Sequence, residues 1–133
     1  MSRVSIVIPC HNETASLPKL HAELSAMAEG QSEAFGFVYV DDGSTDTTAE
    51  IVAQLAAEDP RVELVCLSRN FGHEAASTAG LDYASGDAVV LIDADGQDPP
   101  SVIPTLLEKF HEGYDVVAAQ RTNATGEGWF KPL

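Results

Sequence analysis

Val89-Val90-Leu91-Ile92-Asp93-Ala94-Asp95-Gly96-Gln97-Asp98-Pro99-Pro100 decides how the chain is read. Its first four residues are apolar and mostly β-branched, the pattern of a buried strand. The strand runs directly into three carboxylates, a Gln and two prolines. Residues two apart in an extended chain point the same way, so Asp93 and Asp95 face one spot beyond the strand's carboxyl end. Two like charges held this close call for a counter-cation, and Mg²⁺ or Mn²⁺ takes one or two carboxylates with water or phosphate oxygens. Asp98, just before Pro99-Pro100, reads instead as the cap of a following helix.

Working outward, the same strand-to-polar-loop pattern recurs. Arg3 to Pro9 is an apolar run stopped by a proline, followed by Cys10-His11-Asn12-Glu13. Ser16-Leu17-Pro18 starts a helix with Leu17, Leu20, Leu24, Met27 and Ala28 on one face, and Gly30 ends it. Phe35 to Val40 is a second strand, leading into Asp41-Asp42-Gly43-Ser44. The spacing of Thr47 and Glu50 predicts a capping box for a helix that Pro60 closes. Val62 to Leu67 is a third strand, Ser68 to His73 a polar loop, and Glu74 to Ala84 a helix of small residues suited to close backbone approach. The opening stretch supplies the fourth strand, Asp87 to Ile92, then a helix from about Pro100 to Glu112. Tyr114 to Ala119 reads as a fifth strand, and the tail from Gln120 has no clear period.

Strands alternating with helices predict an α/β fold, an open, mostly parallel sheet with helices on both faces. Such sheets bind ligands beyond the carboxyl ends of their strands, where strand order reverses. Four polar clusters fall at those ends and converge on one rim. The predicted layout is an α/β binding domain over residues 1–120, with 121–133 opening a further region.

The chain has 133 residues, enough for one core, and a formal charge of −14. Seven Lys and Arg against twenty-one Asp and Glu argue against a nucleic-acid partner and against broad contact with anionic membrane. Cys10 and Cys66 fit no zinc spacing and read as free thiols of a cytoplasmic protein. No apolar run approaches the length of a membrane span. There is no GxGxxG after the first strand and no GxxxxGK[ST], so a phosphate ligand would be held through the cation. Asp41 or Asp42 could accept a hydrogen bond from a base N–H, which uracil offers and cytosine lacks at the same ring position, but a turn with a helix cap explains that pair equally well. His11 and His73 sit on rim loops, as diphosphate contacts or as loop hydrogen-bonders. His21 and His111 read as solvent-facing helix residues.

Val-Ile-Pro-Cys-His-Asn-Glu at 7–13, Val-Asp-Asp-Gly-Ser-Thr-Asp at 40–46, Ser-Arg-Asn-Phe-Gly-His at 68–73, Ala-Gly-Leu-Asp at 79–82 and Asp-Ala-Asp-Gly-Gln-Asp-Pro-Pro at 93–100 resemble family 2 glycosyltransferases of the GT-A fold. The resemblance is to the dolichol-phosphate mannosyltransferase and bactoprenol glucosyltransferase group, and it covers nearly the whole chain. It implies transfer of a hexose from a UDP- or GDP-sugar to a polyprenyl phosphate, with inversion and with Mg²⁺ or Mn²⁺. Asp93 and Asp95 are then the catalytic acids, with Asp93 bridging nucleotide and metal, and Asp95 and Gln97 completing the metal's protein ligands. Pro9, Asn12, Glu13, Asp41 and Asp42 would line the nucleoside pocket, Arg69 would lie near base or phosphates, and Arg121 would grip the acceptor phosphate.

There are departures. Gly96 replaces a common Leu, Ala124 stands where a second arginine is expected, and relatives continue past Leu133 into acceptor helices and membrane segments at the cytoplasmic face of a membrane. The chain therefore reads as a donor-binding part, excised or naturally short, in which Trp129 and Phe130 could serve self-association. Two rivals remain: a nucleotide-sugar-binding fragment without turnover, and a Mg²⁺-dependent signalling domain of flavodoxin-like fold.

Overall fold

The computed structural model describes residues 3–95 and 99–112, together with the backbone of 117–121 and 128–132. The chain forms two compact units, Met1–Asp98 and Pro99–Leu133. In the first, β1 (Arg3–Cys10), β2 (Ala34–Asp41), β3 (Val62–Cys66) and β4 (Ala88–Leu91) alternate with α1 (Leu17–Glu29), α2 (Thr48–Glu58) and α3 (His73–Tyr83). All four strands are parallel, in the order β3-β2-β1-β4. The chain thus steps outward from β1 to β3 and returns to place β4 on β1's other side. That order differs from the 2-1-3-4-5 of flavodoxin-like domains and removes the signalling rival.

Residues facing alternate sides of the strands build two cores. Val7, Val38 and Val40 pack on Ala76 of α3. Gly80 lets α3 come this close, because a Cβ there would run into Val7 Cγ1 and stand 3.0 Å from Val40 Cγ2. On the opposite face α1 covers Phe37 and Tyr39, with the His21 ring 5.5 and 5.8 Å from theirs. His21 is therefore buried, contrary to the solvent-facing position expected for it. Its Nε2 meets Asp59 Oδ2 at 3.2 Å and so carries the hydrogen, while Nδ1 accepts from the Tyr39 hydroxyl at 2.7 Å. Asp59 is in turn forked by the Arg61 guanidinium. The polar ring completes the buried stripe of Leu17, Leu20, Leu24 and Ala28, whereas Met27, expected on the same face, is only partly buried.

Two further sequence expectations change. Thr47 stands at the N-cap of α2 but makes no side-chain capping bond; the Asp46 carboxylate accepts the Thr48 N–H instead, at 2.9 Å. In the second unit a 3-10 turn (Pro100–Val102) leads into α4 (Ile103–His111). There β5 (Val117–Arg121) pairs antiparallel with β6 (Gly128–Pro132) in a two-stranded sheet, so among the described residues the parallel sheet has four strands where five were expected. Among the described residues, no helix is long and apolar enough to cross a membrane.

Candidate functional site

Strand order reverses between β1 and β4, and a cleft of about 460 Å³ opens at their carboxyl ends. Pro9 lines it from the end of β1, His11 and Glu13 after β1, Asp42 after β2, Asn70 before α3, His73 as the first residue of α3, and Asp93, Ala94 and Asp95 after β4. Cys10 also lines it, but burial and the Asp41 and Glu13 carboxylates push its thiol far up, and its Sγ–H donates to Ile8 O. It is a packing residue, not a nucleophile.

The loops are tied by their own polar groups. Asn12 adopts a positive φ of 55°, tolerated by Asn, and its Oδ1 accepts the Thr45 N–H at 2.9 Å. The Asn12 N–H donates to Ser44 Oγ, and that of Glu13 to the buried Thr48 hydroxyl. Gly43, at φ +64°, lies against the Arg69–Asn70 backbone, where any Cβ would collide. Asp42 is buried, and its two oxygens accept the N–H groups of Phe71 at 2.8 Å and Gly72 at 3.0 Å.

His11 joins three of these loops, and its tautomer follows from its neighbours. Asn12 and Asn70 each commit Oδ1 to a backbone N–H, which turns both Nδ2 groups toward His11 Nε2, at 3.3 and 3.2 Å. Two donors on Nε2 make it the acceptor, so Nδ1 carries the hydrogen and donates to Asp42 O at 2.8 Å. His11 is the loop hydrogen-bonder of the two readings open to it.

The acid loop leaves β4 through Ile92, whose N–H donates to Val7 O. Asp93 is partly exposed, with Oδ1 3.3 Å from Nε2 of His73, the first residue of α3. Asp95 is exposed, and Ala94 between them is buried, its carbonyl receiving Ser16 Oγ at 2.7 Å.

The sequence-nominated residues divide accordingly. Pro9, Glu13, Asp42, Asp93 and Asp95 share the cleft. Asn12 and Asp41 are not among its lining: Asn12 braces the 43–46 loop, and Asp41 is buried with Oδ1 lacking a hydrogen-bond partner. Arg69 stacks its guanidinium 4.3 Å from the Phe71 ring centroid. Gln97 and Ala124 lie outside the described residues, as do the side chains of Arg121, Trp129 and Phe130. Asn70 and Ser16 were not singled out for the site. Asn70 was signalled by its rim loop and by the 68–73 motif, Ser16 only by its place at a helix start.

Among the described residues no three His, Cys, Asp or Glu side chains converge on one ion position. Two carboxylates opening to a cleft are nonetheless a donor set that suits a Mg²⁺ or Mn²⁺ shell in which phosphate oxygens and water supply the other ligands.

The family model described as glycosyl transferase family 2 matches residues 5–133. A Bacillus subtilis protein named as an uncharacterized glycosyltransferase is 46% identical over 127 residues, 96% of this chain and 39% of the relative. An undecaprenyl-phosphate 4-deoxy-4-formamido-L-arabinose transferase from Pseudomonas paraeruginosa is 45% identical over 127 residues, 95% of this chain and 38% of the relative. The solved mannosyltransferase from Pyrobaculum calidifontis, in complex with GDP-Man and Mn²⁺, superposes with a TM-score of 0.71 at 23% identity, over 94% of this chain and 37% of that one. The chain thus spans about two-fifths of the length of these relatives.

Proposed function

The chain belongs to glycosyl transferase family 2, and on that premise we propose that its cleft binds a UDP- or GDP-sugar through a divalent cation held by Asp93 and Asp95. One observation carries the reading. Glu13, Asp42, Asp93 and Asp95 line the cleft, and none of its described lining residues is Lys or Arg. A diphosphate entering among these four carboxylates meets like charge, which an accompanying divalent cation offsets. Gln97 is the third protein ligand in this reading.

Each wall has a task. Of the two adjacent acids, Asp42 lines the cleft and takes the base N–H; Phe71 and Gly72 already fix its orientation. Pro9 and Glu13 border the nucleoside, and His73 steadies Asp93 from the start of α3. When bound, Mg²⁺ or Mn²⁺ supplies charge stabilisation to the departing diphosphate. The acceptor is a polyprenyl phosphate, its phosphate assigned to Arg121. With a second pKa of about 6, a phosphate monoester is largely dianionic at neutral pH and needs no general base for an in-line, inverting attack.

Calorimetry with UDP, GDP and their sugars, with and without Mn²⁺ and with Asp95→Asn, tests the reading. Binding that requires Mn²⁺ and is lost in the variant is expected; metal-independent binding, or none, overturns it. A second reading is donor binding without transfer. Sugar transfer to a polyprenyl phosphate by this chain separates the two.

A further inference from the structure

We propose that Ser16 is a positioning residue for the acid loop, setting the peptide that presents Asp95 and coupling that loop to Glu13. The inference rests on the nucleotide–cation reading of the cleft and adds a residue to it. Ser16 occupies the N-cap of α1, where a serine hydroxyl ordinarily accepts an N–H from the first helical turn. Here it makes no such bond, and its backbone is already helical, at φ −92° and ψ −23°. The hydroxyl instead lies 2.7 Å from Ala94 O, 3.1 Å from Glu13 Oε2 and 3.3 Å from Glu13 O. All three are acceptors and the hydroxyl has one proton, so it donates over the shortest separation, to Ala94.

That bond acts at a sensitive place. The Ala94 carbonyl oxygen lies in the same peptide plane as the nitrogen and Cα of Asp95, so holding the oxygen fixes the N–Cα axis from which the Asp95 side chain departs and leaves φ as the remaining freedom in its direction. Ala94 is 3% exposed, and its methyl is buried while its carbonyl is tied. Two residues earlier, the Ile92 N–H is bonded to β1 at Val7 O. The peptide joining the two acids to the sheet is therefore gripped at both ends, and Ser16 is the grip on the Asp95 side. Glu13 competes for the same proton from the nucleoside side of the cleft. A ligand group that donates to Glu13 removes the competitor and strengthens the hold on Ala94. In this way nucleoside contact and cation-ligand geometry favour one another.

The test titrates Mn²⁺ by electron paramagnetic resonance in the presence of saturating UDP or GDP, using the full chain, Ser16→Ala and Ser16→Thr, with urea midpoints measured alongside. Outer-shell partners are commonly worth 10–100-fold in metal affinity, and an indirect one belongs at the low end. Ser16→Ala is expected to weaken Mn²⁺ binding about tenfold and to alter its spectrum, and Ser16→Thr, which restores the hydroxyl, to return the affinity to within about twofold. An alanine variant with wild-type Mn²⁺ affinity and spectrum overturns the positioning role, even if its urea midpoint falls. A threonine variant as weak as alanine does the same. If the alanine variant does not fold, Ser16→Thr against the isosteric Ser16→Val makes the same comparison. Wild-type chain without nucleotide-dependent Mn²⁺ binding overturns the cleft reading itself, an outcome distinct from the others.

Discussion

Asp42→Asn separates the two things the Asp42 carboxylate does. Its oxygens accept the Phe71 and Gly72 N–H groups at 2.8 and 3.0 Å, and the side chain is buried while lining the cleft. The amide keeps one acceptor oxygen, but its NH₂ then faces the second N–H, donor against donor. Losing a hydrogen bond to a charged group costs about 1.5–3 kcal/mol. Gly72 is only partly buried, so water relieves some of the mismatch and about 2 kcal/mol is the expected loss of stability. For a chain of this size that corresponds to a fall of roughly 6–10 °C in Tm. The Arg69–Phe71 stack, another contact on this loop, is exposed and worth about 0.5–1 kcal/mol, so Arg69→Ala is the milder variant.

Urea unfolding of both variants and the wild type decides the matter. Asp42→Asn should shift the midpoint at unchanged m by at least twice as much as Arg69→Ala. Nucleotide affinity is the second readout: an amide offers a base N–H a weaker acceptor than a carboxylate, and binding of UDP with Mn²⁺ should fall about 10-fold or more. An Asp42→Asn chain as stable as wild type would refute the claim that this carboxylate holds the loop. Wild-type affinity in a destabilised variant would leave the loop role intact and remove the base contact.

Gly80→Ala should cost about 1–3 kcal/mol by overpacking α3 against Val7, and Val7→Ala, itself destabilising, should be partly compensated when the two are combined; a thermal-melt double-mutant cycle with no coupling would count against the close approach. Acid stability should depend on Asp59, whose carboxyl the Arg61 hydrogen bonds hold well below the usual carboxylate range. A depressed folded-state value contributes stability that is full above the unfolded value of about 3.9 and is lost as pH falls through the folded one. The urea-midpoint gap between wild type and Asp59→Asn should therefore be constant near pH 6 and shrink below about pH 4, while a gap independent of pH would contradict the assignment. Asp46, drawn down to about 2 by the Thr48 hydroxyl, adds to the acid sensitivity both chains retain.

The strands β1 to β4 and the polar clusters at their carboxyl ends were legible because β-branched runs, turn residues and carboxylate spacing are local signals, whereas Pro9 and Glu13 were nominated by the family resemblance and the order β3-β2-β1-β4 has no local signal. The missed features are those in which a polar side chain finds a partner far along the chain. His21 occupies an apolar stripe because Tyr39 and Asp59, 18 and 38 residues away, satisfy both ring nitrogens; periodicity assigns a lone His to solvent because it cannot see them. The Thr47–Glu50 spacing pointed to a capping box, yet a carboxylate one residue earlier took the role, since Asp46 also receives the Thr48 hydroxyl and that hydroxyl must accept from Glu13. The tail strand β6 was hidden by its five residues and the Pro at its end, and pairing with β5 supplies its ladder.

The same logic explains why the rim loops use so many short polar residues. Asn12, Ser16, Asp42, Ser44 and Thr48 each bond the backbone of a loop other than their own, so the turn-forming chemistry that made them look like local caps serves to join β1, β2, β3 and β4 ends into one rim. A cleft whose described lining holds four acids and no Lys or Arg would spread under its own repulsion if each loop stood alone. Cross-bracing holds these loops together without a ligand, which is the preorganisation that the cation site proposed at Asp93 and Asp95 requires.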